Sequence, residues 1–211
     1  MKQAELDRMV RAELKNEARS RGWKTINNQA YWKVDDLFFQ LLVSTGAREQ
    51  VFQYFLRVKW YSLDDQLWKV LGMTSNASEP LSLRANGAYT LFGHDVLSGR
   101  VTDCEWTTEW LAQNLGSAAT LAQKKAAEIT PSIQNVDDYL EFIERDYEAI
   151  LARRPDTAYN TWKEQVLIAL EKGDAHSAKE IASARAAAND SGGFVVGGHN
   201  FYQCVLKCLN P

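Results

Sequence analysis

The chain has 211 residues, with 24 Lys and Arg against 27 Asp and Glu, for a formal charge of −3. Hydrophobic residues make up 45% and charged residues 24%, the balance of a folded protein, which excludes a wholly disordered chain. No stretch approaches the roughly 18 apolar residues that a membrane span needs, and the charged opening stretch lacks the apolar segment of a signal peptide. The acidic balance argues against bulk affinity for nucleic acid. The cysteines are odd in number and two lie four apart (Cys204 and Cys208), so no disulfide framework is implied and a reducing cytoplasm is expected.

The first element predicted is a helix. Leu6, Met9, Val10, Leu14 and Ala18 recur at helical spacing. Gly22 follows the basic residues Arg19 and Arg21, where a helix C-terminus places glycine. Strand periodicity follows. Tyr31 to Val34 precede an Asp35-Asp36 turn, Leu37 to Val43 form an apolar run, and Val51 to Tyr61 alternate. In that last run Phe52, Tyr54, Leu56, Val58 and Trp60 share one face and Arg57 and Lys59 the other, the pattern of a half-buried antiparallel strand. Short connections predict a meander. Ser62 with Asp64 and Asp65 predicts a capped short helix to Leu71, and residues 72–80 read as loop. Leu81, Leu83 and Ala85 alternate as in a strand, and Tyr89 to Phe92 and Arg100 to Thr102 read as two more.

Beyond Thr107 the pattern is helical. Expected helices cover Thr108 to Ile129, a segment capped by Asn135 and stopped by Arg153, Arg154 and Pro155, a segment capped by Asp156 that bears Tyr159 and Trp162, an alanine-rich segment after Gly173-Asp174, and Phe201 to Leu209. The fold class is therefore α+β. An N-terminal helix and antiparallel meander sheet (1–105) precede an all-helical half of helical hairpins (106–211).

The order of helix, Gly22-Trp23-Lys24, Tyr31-Trp32-Lys33 with a hydrophobic strand, and a strand ending in Arg57-Val58-Lys59 resembles a bacterial family of helix-plus-meander domains that includes immunity proteins of toxin systems. The resemblance covers about the first hundred residues and rests on layout. It implies a non-catalytic protein whose partner is another protein, such as a toxin, and it carries over no catalytic residue. Ala169 to Asp174, lying between two helices, is similar to helix-hairpin repeat proteins, which suggests an adaptor using residues 136–190. Only one clear hairpin is visible, however, and a solenoid needs about three repeats.

Several groups invite chemistry. His199, Cys204 and Cys208, with Cys104, have the atoms for zinc, but His-x4-Cys-x3-Cys is not a common metal spacing. Phe201, Cys204, Val205 and Cys208 instead form one apolar helix face, so no metal and no cofactor is expected. Gly192-Gly193 and Gly197-Gly198 lack the lysine and hydroxyl of a phosphate loop and read as a connector with Phe194, Val195 and Val196 tucked inward. His94 beside Asp95 offers a hydrolase-like alternative in a cleft between the halves. His176 reads as surface. The aspartate pairs at 35–36, 64–65 and 137–138 suit a turn and two helix starts. The leading candidates are Lys33, Arg57, Lys59 and Arg84, as a cationic sheet face beside aromatic residues that docks a protein partner. The seven tryptophans are expected mostly in the core.

Overall fold

The computed structural model describes residues 1–153 and 160–210. The expected helix stop at Arg154 and Pro155, the Asp156 cap and Tyr159 lie outside the described residues. The chain forms two compact units, one from Met1–Lys59, Leu81–Gly87 and Phe92–Ser132, the other from Trp60–Pro80, Ala88–Leu91 and Ile133 onward. The expected division at residue 105 therefore does not separate the units: the long helix after it belongs with the sheet, and the short helix after Ser62 belongs with the later helices.

In the first unit, helix α1 (Gln3–Ser20) buries Leu6, Val10, Leu14 and Ala18 in one stripe. It ends as its sequence requires. Gly22 takes φ +72°, and the Trp23 and Gly22 N–H groups donate to the Ala18 and Arg19 carbonyls, satisfying two otherwise orphaned acceptors. Strands β1 (Lys24–Ile26), β2 (Gln29–Val34), β3 (Leu37–Gly46), β4 (Val51–Trp60) and β5 (His94–Val101) follow as a five-stranded antiparallel sheet in sequence order. Helix α4 (Thr108–Ile129) packs against α1 and buries Leu111, Leu115, Ala118, Ala119, Ala122 and Ala126, whose alanines let helices approach closely. Its start is fixed by the Thr107 hydroxyl, which accepts from the Trp110 N–H at 3.1 Å.

Strand β3 is buried on both faces from Leu37 to Leu41, so the sheet needs a cover on its second face. Helix α3 (Ser82–Asn86) lies on that face, although Leu81, Leu83 and Ala85 alternate like a strand. The short segment is held by its own carbonyls: Ala85 accepts from Gln40 Nε2 at 2.6 Å and Arg84 from Lys59 Nζ at 2.8 Å. Tyr89 to Phe92 form no strand, and β5 begins two residues later than Phe92. Gly99 lies inside β5 opposite Tyr54, whose ring occupies the space a Cβ would take.

In the second unit, α2 (Leu63–Val70) packs with α6 (Trp162–Glu171) and α8 (Phe201–Leu209), while α5 (Val136–Arg153) meets α6 and α7 (Ala175–Ala187) meets both α6 and α8. Asn135 Oδ1 caps α5 by accepting from the Asp137 and Asp138 N–H groups. Ser62 does not cap α2. Its hydroxyl donates to the Glu171 carboxylate at 2.7 Å, while Asp64 is fully buried and accepts from the Leu91 N–H at 2.8 Å. The glycine-rich connector is a small hairpin of β6 (Val195–Val196) and β7 (His199–Asn200). Gly197 and Gly198, at φ +57° and +79°, supply the two left-handed positions of its tight turn. Val195 is exposed, not tucked inward. Among the described residues, no helix is long and apolar enough to cross a membrane.

Because α4 completes the core of the first unit, Leu115→Ala, at a fully buried site, is expected to cost about 2–5 kcal/mol in urea unfolding. Lys124→Ala, on the exposed side of the same helix, is expected to change stability by less than about 0.5 kcal/mol.

Candidate functional site

The first two hairpins fix an aromatic ladder. In β1 and β2, Lys24 pairs with Tyr31. One step further along this register, Trp23 faces Trp32, and Trp32 in turn pairs with Phe39 on β3. Residues opposite one another in an antiparallel sheet project to the same face. The three rings accordingly stack: Trp23 on Trp32 at 3.9 Å between centroids and 6° between planes, and Trp32 on Phe39 at 5.4 Å and 16°. Phe39 is fully buried, whereas Trp23 and Trp32 are only half-buried.

The two tryptophans line a cleft of about 510 Å³. Its opposite wall is the end of α4, with Ala126 and Ala127, and the turn after it, with Thr130 and Pro131, and its rim carries Arg21 and Lys33. Arg21 is held by Glu17 at 2.5 Å and by the Thr120 hydroxyl at 3.2 Å, with its guanidinium carbon 5.7 Å from the Trp23 ring. Lys33 pairs with Asp36 at 3.7 Å. No carboxylate lines the cleft, which thus presents aromatic edges, small apolar groups and positive charge. Such a surface suits binding; it brings together no nucleophile and base.

The four cations singled out from sequence are divided by the fold. Lys33 shares a face with Phe38, its partner on β3, and the Lys59 ammonium lies 5.3 Å from that same Phe38 ring. Arg57, two residues before Lys59, projects the same way. The expected common face therefore exists, but it is not an open cationic surface. Lys59 is 2% exposed beneath α3, and Arg84, which belongs to α3 and not to the sheet, is 4% exposed. Arg57 donates to Asp95 at 2.7 Å and lies 3.5 Å over the exposed Phe92 ring. Lys33 and Arg57 keep access to solvent, and Lys33 alone borders the cleft.

The other candidates stay apart. Asp95 pairs with Arg57 and is exposed, while His94 pairs with Val58 and is buried. Arg57 and Val58 are successive and face opposite ways, so their partners His94 and Asp95 do not converge on one substrate. His199 Nδ1 lies 2.9 Å from the Gly197 carbonyl, Cys204 is buried and Cys208 is exposed. Among the described residues no three His, Cys, Asp or Glu side chains gather as a metal set. Of the tryptophans expected mostly in the core, Trp60 and Trp68 are fully inside it, and Trp23, Trp32, Trp106, Trp110 and Trp162 lie half-buried at its edge.

The second unit carries a different electrostatic feature. One Glu164 carboxylate oxygen is buried without a hydrogen-bond partner, and the Tyr202 hydroxyl is buried beside Asp190. Burial raises the Glu164 pKa, against the opposing pull of Lys163. Burial, aided by the negative Asp190 and Glu164, also raises that of Tyr202, while Arg185 opposes it. Lys163 and Arg185 are turned to aromatic faces, at 5.1 Å from the Phe194 ring and 3.7 Å from the Trp162 ring. This cluster lies off the cleft and bears on stability.

The cleft residues Arg21, Trp23 and Trp32 escaped the sequence reading because β1 is only three residues long. The signal was the Asn27-Asn28 turn, which sets the register that pairs Trp23 with Trp32. No family model, no curated protein and no solved structure matches the chain.

Glu164 holds its proton to a higher pH when folded than when unfolded, so the folded chain binds more protons between the two values. Its contribution to stability is therefore complete below the ordinary carboxylate range and is lost as pH rises through the raised value. Glu164→Gln is expected to flatten the fall in Tm above that range and to leave the variant more stable than wild type at pH 8, measured by thermal unfolding across pH.

Proposed function

We propose that the protein is a non-catalytic, cytoplasmic protein-binding module of the immunity type, which covers a bacterial protein partner such as a toxin and uses the tryptophan cleft as its anchor site. The observation that carries this reading is the stacked Trp23–Trp32 pair, left half-exposed along an open cleft with cations at its rim. A single-chain fold gains about 25 cal/mol for each Å² of apolar surface it removes from water, so exposed indole surface is stabilisation left unrealised in the free protein. A partner that fills the cleft realises it. Tryptophan and arginine in such desolvated pockets carry a disproportionate share of binding energy. The ladder and the Arg21–Glu17–Thr120 bonds hold the site rigid, which limits the ordering cost of association. The layout of helix, meander and Trp-Lys pairs that resembles immunity-type domains supports the same reading.

Ala127 is exposed on α4 and lines the cleft, so Ala127→Arg fills the site without disturbing the core. A partner captured from the native host and reconstituted with purified wild-type protein is expected to lose about tenfold or more in affinity for this variant, with the variant's circular dichroism and Tm unchanged. Equal affinity of the two proteins for every reconstituted partner overturns the assignment of the cleft.

A further inference from the structure

The sheet face opposite the tryptophans carries a second, smaller recess. Along β3, Phe38, Gln40, Leu42 and Ser44 project to that face, and along β4 so do Lys59, Arg57, Phe55 and Gln53. Helix α3 covers the end that holds Gln40 and Lys59. The other end, beside the β3–β4 turn, is open. There Ser44 is exposed, Gln53 is half-buried, and Gln53 pairs across the sheet with the exposed Arg100 of β5. These three side chains, with Val51 and with Glu49 from the turn, line a pocket of about 220 Å³.

Its chemistry is set by groups that the fold leaves unused. Among the described residues, the side chains of Ser44, Glu49, Gln53 and Arg100 make neither an ion pair nor a hydrogen bond. A free cation and a free carboxylate thus line one small space without meeting each other. Glu49 does not extend into solvent. Its carboxylate folds back on the hairpin, with one oxygen 2.7 Å from where a Cβ on Gly46 would stand. The missing Cβ gives that carboxylate its seat at the pocket.

We infer that the pocket binds a free α-amino acid in its zwitterionic form, with its carboxylate on the Arg100 guanidinium and its ammonium on the Glu49 carboxylate. The Ser44 hydroxyl and the Gln53 amide donate to the same ligand carboxylate. Opposite charges a few bonds apart on the ligand match the opposite, unpaired charges of the wall. A simple anion meets repulsion from Glu49, a simple amine meets it from Arg100, and an apolar molecule finds only Val51. The space is smaller than the roughly 300–1,000 Å³ of sites for drug-sized ligands and suits a molecule of few atoms. Each contact is partly solvated and therefore weak, which places the affinity in the millimolar range. This site is separate from the tryptophan cleft and does not depend on the protein-binding reading.

The test uses the intact, ¹⁵N-labelled chain at neutral pH and fixed ionic strength, with three probes: L-alanine, propionate and ethylammonium. The backbone amides of Gly46, Gln53 and Arg100 report on the pocket. L-Alanine is expected to shift them saturably and to bind at least about tenfold more tightly than either singly charged probe. Arg100→Gln and Glu49→Gln change exposed side chains and are expected to keep the wild-type Tm. Each is expected to weaken L-alanine by about tenfold or more. No saturable shift, equal binding by propionate or by ethylammonium, or undiminished binding by either variant overturns the inference.

Discussion

Everything at the cleft follows from hairpin register. The short Asn27-Asn28 turn closes β1 on β2, and the Asp35-Asp36 turn closes β2 on β3, with Asp35 in the left-handed region at φ +48°. Shifting either pairing by one residue would send Trp32 to the opposite face. With the registers as they are, Trp23, Trp32 and Phe39 must lie side by side. Stacked aromatic pairs stabilise by about 0.5–1.5 kcal/mol beyond their buried area, so the rings reinforce the register that places them. The Gly22 cap acts on the same point from the other side, because it turns the chain from α1 so that Trp23 enters the line of β1.

The opposite face shows how burial changes what a cation does. Lys59 has the sequence position of a surface lysine on a half-buried strand. Once α3 settles over the face, its ammonium leaves water and needs new partners. It has the Arg84 carbonyl at 2.8 Å and the Phe38 ring at 5.3 Å. The hydrogen bond in turn fixes a helix of five residues, too short to be stable through its own backbone bonds. Gln40 makes the same kind of bond to the next carbonyl. Two polar side chains from the sheet thus hold the cover that buries them, and the positive charge there serves the fold and is withheld from any partner.

These particulars show what is legible in the residues. Long elements are: α1, β4, α4 and α8 carry enough repeats of one period, and β3 a long enough apolar run, to be placed within a few residues. The α+β class and the meander follow from them. Short elements are not. Three alternating residues at Leu81 to Ala85 satisfy a strand and one helical turn equally well, and only the sheet's need for a cover selects the helix. The burial of Lys59 and Arg84 is illegible for the same reason, since Lys59 lies under that cover and Arg84 is part of it. The helix after residue 107 is legible in its position but not in its neighbours, because periodicity reports that an apolar face exists and says nothing of which surface it meets. Its alanines meet α1, which groups it with the sheet.

The five half-exposed tryptophans are not equivalent, and their differences argue for the cleft. Trp106 and Trp110 pack edge to face at 5.3 Å, and Trp110 also meets the buried Phe52, so their rings serve local packing. Trp162 has its face covered by Arg185. Trp23 and Trp32 stack on one another and line a cavity large enough to admit a side chain. If the pair served packing alone, the gap between it and α4 would be a defect. A larger residue at the exposed Ala127 closes that gap without touching the core, so steric constraint does not account for its small size. The cleft is therefore a gap held open beside a rigid aromatic floor, with its rim residue Arg21 fixed by Glu17 and Thr120, and this preorganisation is what supports the proposed binding role.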